Sequence, residues 1–217
     1  MLAIFKREFK SYFQNVIGWL FVAALLAVYG LYFYVYNLKN GYPYISYDLK
    51  GIGFIMMIAV PILTMRSLSD EKKTKTDQLI LTSPVSVGRI VAGKYLAMAA
   101  VYTIDIALFA LSPLVLSIYG KVALSEAYVA LFGYWLYGLS CIAVGLFISS
   151  ISESVIISAI LTFAALFLSY MMQSITGLIS SSGNLLTKVL NCFDLYTPFE
   201  NFVSGCFSVT SAAYFVT

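Results

Sequence analysis

The sequence of 217 residues contains no histidine and few charged residues, and each shortage excludes a class of function. Without histidine, a zinc site would lack one of its common ligands. Acid–base catalysis would lack the side chain that most often carries the proton. The three cysteines follow no metal-binding spacing, and no cleavable signal peptide is recognisable at the N-terminus. Charged residues make up 11% of the chain, against about 25% in an ordinary soluble domain. A soluble domain is therefore not expected.

Hydrophobic residues, at 61%, dominate what is present. A helix needs about 20 apolar residues to cross the hydrocarbon layer of a bilayer. Five stretches approach this length: residues 16–36, 52–66, 90–119, 127–148 and 155–178. The second stretch is short and contains Pro61, so it must borrow length from its flanks, and the third is too long for one perpendicular crossing. We therefore expect an all-α polytopic membrane protein.

The C-terminal part of the sequence is harder to interpret. Residues 179–209 mix apolar residues with Lys188, Asp194, Pro198 and Glu200, which predicts an amphipathic or re-entrant segment rather than a span. The last residues, AAYFVT, could begin a sixth span, so either the protein has five spans or these residues omit part of a sixth. Because no repeat or long linker is visible, residues 1–217 are expected to form a single transmembrane domain.

The positions of lysine and arginine predict the orientation. One side of the predicted bundle carries nine such residues and the other carries four: Lys6, Arg7, Lys10, Arg66, Lys72, Lys73, Lys75, Arg89 and Lys94 against Lys39, Lys50, Lys121 and Lys188. Since cytoplasmic loops carry the excess of positive charge, the N-terminus is predicted to be cytoplasmic.

Residues 1–15 predict an interfacial amphipathic helix. Its polar face carries Lys6, Arg7, Lys10 and Gln14, and its apolar face carries Leu2, Phe5, Phe9 and Phe13. Such a helix lies in the headgroup plane of a membrane. The alternative is a basic flank that only sets the topology.

The stretch GRIVAGKY, residues 88–95, has the Gly-x4-Gly-Lys spacing of a phosphate-binding P-loop. The next residue is Tyr95 where a P-loop has Ser or Thr, and no strand precedes the stretch. Ile90 and Val91 would also crowd such a loop. We interpret the match as accidental and predict that the chain has no nucleotide-binding site of its own.

Residues 67–89 form the largest polar segment, between the second and third spans. Its middle, DEKKTKTD, is a solvated run, and it is followed by Leu79, Ile80 and Leu81 and by a stop at Ser83-Pro84. A short helix with exposed leucines can enter a groove of another protein. The same leucines could instead pack on the chain's own bundle.

These residues resemble a known family. The pattern DEK at 70–72, LILTSPV at 79–85 and IVAGK at 90–94 is similar to that of ABC-2 type ABC transporter permeases. Two further stretches, GLFISSISES at 145–154 and YTPFENFVSG at 196–205, resemble the branch that includes gliding-motility and nitrous-oxide-reductase maturation permeases.

The resemblance implies a permease subunit, expected to be an exporter, with a coupling segment at residues 67–89 that seats in a separate ABC ATPase subunit. ATP and Mg would bind that partner, with no cofactor and no metal on this chain. The implied ATPase contacts are Asp70, Glu71, Lys72, Thr76, Leu79, Leu81, Ser83 and Pro84.

Further partners implied by the resemblance are a second permease chain, identical or paralogous, and an extracytoplasmic accessory protein. The lipid bilayer is the expected environment and no nucleic acid is expected. The implied location is the bacterial inner membrane, with several spans.

Asp105 lies well inside the third predicted span, where a carboxylate is costly. Lys94, Asp105 and Ser112 fall on one helical line, so Asp105 and Ser112 are candidates for a substrate path or a subunit interface. The alternative is a hydrogen bond from a neighbouring tyrosine such as Tyr102. Cys192 and Cys206 are predicted on the outer side, where they either pair or remain free thiols.

Two other functions stay open on the sequence. A secondary, proton-coupled carrier would use Asp105 as its proton relay, although the inverted repeats of such carriers are not visible. A membrane subunit that uses the ATPase for mechanical work on an envelope partner would have the same sequence features as a permease.

Overall fold

The computed structural model describes residues 2–75, 86–120, 122–179, 194–205 and 209–216. In these residues all regular structure is helical. The helices are α1 (Leu2–Gln14), α2 (Val16–Phe33) continued by a π-helix (Tyr34–Lys39), α3 (Ser46–Thr64), α4 (Ser69–Lys73), α5 (Val87–Phe109), α6 (Ser112–Tyr119), α7 (Leu124–Ile151), α8 (Val155–Ile179), α9 (Tyr196–Val203) and α10 (Val209–Val216).

Five helical stretches are long and apolar enough to cross a membrane: Val16–Lys39, Ser46–Lys73, Val87–Tyr119, Leu124–Ile151 and Val155–Met172. They correspond one to one with the five predicted spans. The prediction of an all-α polytopic membrane protein is therefore confirmed.

The helix of the second span begins at Ser46, earlier than the predicted residue 52. The added turn contains two charged residues that find partners: Asp48 is buried and accepts a hydrogen bond from Asn37, and Lys50 pairs with Glu200 at 2.9 Å. Charged side chains with such partners can be accommodated within a helical bundle. The span thus gains the length that the apolar run alone lacks.

The third span is divided into α5 and α6. The break falls at Ala110 and Leu111, two residues before Pro113, which occupies the first turn of α6. Proline disfavours a continuous helix because it lacks the backbone N–H and crowds the preceding turn. The sequence predicted one stretch at residues 90–119, and its excess length is accommodated by this break.

Helix α7 packs against α3, α5, α8 and α9. Two of its glycines allow close approach: a Cβ atom at Gly138 would overlap the Tyr102 ring, and one at Gly145 would lie 2.5 Å from Thr64 Oγ1. These glycines let α5 and α3 contact the backbone of α7, as small residues do where membrane helices pack.

Helix α9, in the predicted amphipathic or re-entrant segment, is seated on the bundle with Phe199 and Phe202 buried. The Asp194 carboxylate accepts hydrogen bonds from the N–H groups of Tyr196 and Thr197, both at 3.0 Å. This caps the start of the helix. The remainder of residues 179–209 lies largely outside the described residues, which include neither Cys192 nor Cys206.

Candidate functional site

Helix α1 lies against the bundle at the end where α3 terminates and α5 begins, here called the N-terminal end. Its polar residues Lys6, Lys10 and Gln14 are exposed, whereas Phe9 and Phe13 pack against the core. The Tyr12 hydroxyl donates a hydrogen bond to the Leu63 carbonyl of α3 at 3.4 Å. The apolar face predicted for residues 1–15 is therefore turned partly toward the protein itself.

Lys94, from the stretch that mimics a P-loop, lies in the third turn of helix α5. The stretch is helical from Val87 onward, so it has no loop to surround a phosphate. The Lys94 side chain is only 2% exposed, which is rare because a buried ammonium must be compensated. Its role is therefore defined by its partners.

Three oxygen atoms from two other parts of the chain surround the Lys94 ammonium. Lys94 Nζ donates to the Ser67 carbonyl and to Glu71 Oε1, both at 2.7 Å. Glu8 Oε1 of helix α1 lies 3.7 Å away. The ion cluster, defined as Lys94, Glu71 and Glu8, thus connects α5, α4 and α1.

The segment at residues 67–75 is held on its other side by helix α7. Ser149 is buried, and its hydroxyl accepts hydrogen bonds from the N–H groups of Leu68 and Ser69, both at 3.2 Å. The Ser69 hydroxyl also lies 3.0 Å from the Ser149 hydroxyl. Lys72 donates to the carbonyl of Ser150.

A polar cavity of about 540 Å³ opens beside the ion cluster, between α1, the end of α3 and α5. Charged side chains of both signs line it: Arg7, Glu8, Arg66, Asp70, Glu71 and Lys94. Burial, with the nearby Glu8 carboxylate adding to it, raises the pKa of the Tyr12 hydroxyl in its wall. Tyr12 therefore stays neutral and keeps its proton for the Leu63 carbonyl.

The residues predicted to contact the ATPase are placed differently from one another. Asp70 is exposed, but Glu71 bonds to Lys94 and Lys72 bonds to the Ser150 carbonyl. These two side chains therefore hold the segment to the bundle. Thr76, Leu79, Leu81, Ser83 and Pro84 lie outside the described residues, so their predicted contacts stay predictions.

Asp105 and Ser112, the candidates for a substrate path or subunit interface, are both buried within this chain. Ser112 bonds to the Tyr29 hydroxyl and to the Phe109 carbonyl. The alternative that Tyr102 donates to Asp105 is wrong: the Tyr102 hydroxyl donates to the Tyr134 carbonyl at 2.6 Å. Within the described residues, neither Asp105 carboxylate oxygen has a hydrogen-bond partner.

Sequence reasoning did not single out several residues that the structure places at the site, among them Glu8, Ser67 and Ser149. Ser149 lies in GLFISSISES, a stretch singled out only for its resemblance. Glu8 is the one acidic residue in a basic amphipathic helix, and that exception was the signal available.

Residues 11–215 match the family model described as ABC-2 family transporter protein. No curated protein and no solved structure matches the chain. The match covers the five spans, the segment at residues 67–89 and the helices α9 and α10.

Proposed function

Because the chain belongs to the ABC-2 family of transporter proteins, we propose that it is the permease subunit that couples ATP hydrolysis by a separate ATPase to movement of a substrate across the membrane. ATP and Mg would bind the ATPase, and the direction would be export. The chain would lie in a bacterial inner membrane with its N-terminus in the cytoplasm, where the lysine and arginine excess belongs.

The observation that carries this proposal is the attachment of residues 67–75 at the N-terminal end. The segment is bonded to α5 through Glu71 and Lys94, and to α7 through Ser69 and Ser149. A segment that receives force from a partner must be tied to the helices that it moves. These bonds supply that attachment on two sides.

The ATPase is expected to contact residues 70–84, and a groove on the ATPase would receive Leu79 and Leu81. A second permease chain, identical or paralogous, would complete the pathway, with Asp105 and Ser112 at the path or at the interface between chains. An extracytoplasmic accessory protein would act on the opposite face.

The first test is purification of the tagged chain from its native membrane in mild detergent, with partners identified by mass spectrometry. We expect a stoichiometric ATPase with vanadate-sensitive activity. Leu79→Asp or Leu81→Asp should abolish co-purification while membrane insertion is unchanged, because a charge cannot enter an apolar groove without a partner.

Val87→Asp is the matched control. Val87 is 55% exposed at the start of α5 and follows residues 70–84, which hold the predicted contacts. An acidic residue is also tolerated in the first turn of a helix. The control should retain the ATPase; retention of the ATPase by the Leu79 and Leu81 variants as well would contradict the proposed contact.

Asp105 supports a second candidate, a proton-coupled carrier, since its buried carboxylate lacks a hydrogen-bond partner among the described residues. Under the permease proposal, Asp105→Asn folds and transports with the same pH dependence as the wild type. A stable preparation without any ATPase, whose transport loses its pH dependence in Asp105→Asn, would favour the carrier. If the chain instead uses the ATPase for mechanical work on an envelope partner, the purified complex should show ATPase activity but no transport.

A further inference from the structure

We propose that the polar cavity at the N-terminal end binds the headgroup of a zwitterionic phospholipid, with its phosphate at Arg66 and its primary ammonium at Asp70. Phosphatidylethanolamine has such a headgroup. The inference goes beyond the proposed function, because it requires a membrane but no ATPase. It assigns a ligand to a cavity of about 540 Å³ that the proposed function leaves without one.

The first support is the charge of the cavity wall. The described residues that line it include three basic and three acidic side chains, so their formal charges cancel. Four of them already form ion pairs within the protein, Arg7 with Glu8 and Lys94 with Glu71. The other two, Arg66 and Asp70, are exposed and belong to no ion pair in the part of the chain that the structure describes. One unpaired charge of each sign matches a zwitterion better than an anion.

The second support is the depth of the cavity in the membrane. Its wall includes Ile17, in the first turn of the first span, and Arg66, just beyond the end of α3. The ends of spans lie where the hydrocarbon layer meets the headgroups. On the same helix as Ile17, the side chains of Val16 and Leu20 are 75% and 49% exposed. Acyl chains can therefore lie against α2 while the headgroup enters the cavity.

The third support is the chemical match between these two side chains and the headgroup. The planar guanidinium of an arginine can donate two hydrogen bonds to one phosphate. A primary ammonium has three N–H donors, and a carboxylate accepts from them. The quaternary ammonium of phosphatidylcholine has no such donor and is bound by aromatic cages. Because Tyr12 is the one aromatic side chain among the described lining residues, the cavity favours ethanolamine over choline.

The test is native mass spectrometry of the tagged chain, purified in mild detergent together with its co-purifying partners. Phosphatidylethanolamine, phosphatidylcholine and the anionic phosphatidylglycerol are titrated separately, all with identical acyl chains. We expect one phosphatidylethanolamine per chain to bind about tenfold more tightly than either other lipid, since both lack the N–H donors for Asp70. Soluble glycerophosphoethanolamine should bind more weakly than the lipid, because it has no acyl chains to lie against α2.

Two variants assign the two ends of the headgroup. Arg66→Ala should weaken the binding of all three lipids about tenfold, since each contains the phosphate. Asp70→Ala should weaken phosphatidylethanolamine most and abolish its preference over phosphatidylcholine. Because both side chains are exposed, the variants should fold as the wild type does. Lys10→Ala and Glu153→Ala are the matched controls, since both side chains are exposed and neither lines the cavity.

Equal affinity for phosphatidylethanolamine and either other lipid would overturn the inference. So would equal losses in the control variants, or binding of glycerophosphoethanolamine as tight as that of the lipid. A complex in which the ATPase covers Asp70 and no lipid is retained would also overturn it, while supporting the proposed function. Conversely, a chain that has no ATPase but keeps the lipid preference would contradict the proposed function and leave this inference intact.

Discussion

The two ends of the bundle use ion pairs in different ways. At the N-terminal end, the Lys94 ammonium is 2% exposed and has two carboxylates around it. At the opposite end, the Lys50–Glu200 pair joins α3 to α9 at 2.9 Å, with both side chains more than a third exposed. An exposed pair competes with water and salt, whereas a buried cation depends on its partners. The N-terminal end is therefore the one that a single charge change can disable.

The largest effect should come from Glu71→Leu. This variant leaves the buried Lys94 ammonium with the Ser67 carbonyl and the more distant Glu8, and breaking a buried pair costs about 3–5 kcal/mol. The free energy of unfolding, measured by reversible denaturation in mixed micelles, should fall by this amount. Glu71→Gln is the control, because its amide oxygen can still accept from Lys94; equal losses in both variants would contradict the importance of the charge.

Ser149→Ala should have the next largest effect. The Ser149 hydroxyl accepts from the Leu68 and Ser69 N–H groups, and its removal leaves these donors short of a partner, at a cost of about 1–3 kcal/mol. The measurement is the same unfolding experiment. Ser150→Ala is the matched control, because the exposed Ser150 hydroxyl donates to the Phe147 carbonyl of its own helix and makes no other hydrogen bond within the part of the chain that the structure describes. A similar loss in both variants would show that Ser149 has no special role.

A smaller change is expected from Glu8→Gln. The Glu8 carboxylate is 3.7 Å from Lys94 and the close Glu71 pair remains, so the loss should be about 1 kcal/mol or less. Exchange of α1 should nevertheless rise, since one of its attachments is weakened. Hydrogen–deuterium exchange of α1 in the isolated chain checks this, and unaltered exchange would mean that its aromatic contacts suffice.

Lys50→Met should have the smallest effect, below about 1 kcal/mol. Because its pair is exposed, raising the salt concentration should reproduce part of this change in the wild type, whereas the Lys94 cluster should respond little to salt. Unfolding with and without added salt tests both statements. If added salt lowers the free energy of unfolding as much in Lys50→Met as in the wild type, the Lys50–Glu200 pair is not the cause of the salt dependence.

The contrast between the ends also shows what the sequence could reveal. The five spans followed from the lengths of apolar runs, because the bilayer sets that length. The start of α3 at Ser46 could not be predicted from the apolar runs. Asp48 bonds to Asn37 and Lys50 pairs with Glu200, and these partners lie elsewhere in the chain.

The site was predictable only in part. The sequence marked Lys94 in the P-loop-like stretch and on one helical line with Asp105 and Ser112, and it marked Glu71 as a predicted ATPase contact, but nothing in it paired the two residues with each other. Burial of Lys94 depends on packing among α1, α4 and α5, and no local pattern records which carboxylate will meet a distant lysine. The predicted helix at residues 1–15 was visible, but its docking on the bundle was not.

The contact between Gly145 of α7 and Thr64 of α3 restricts how this sequence can change over time. A methyl group at position 145 would lie 2.5 Å from Thr64 Oγ1, so the two positions cannot vary independently. In a lineage where residue 145 acquires a side chain, we expect residue 64 to have become smaller beforehand. Residues 64 and 145 should therefore covary among related sequences, although they lie in two spans that are far apart in the chain.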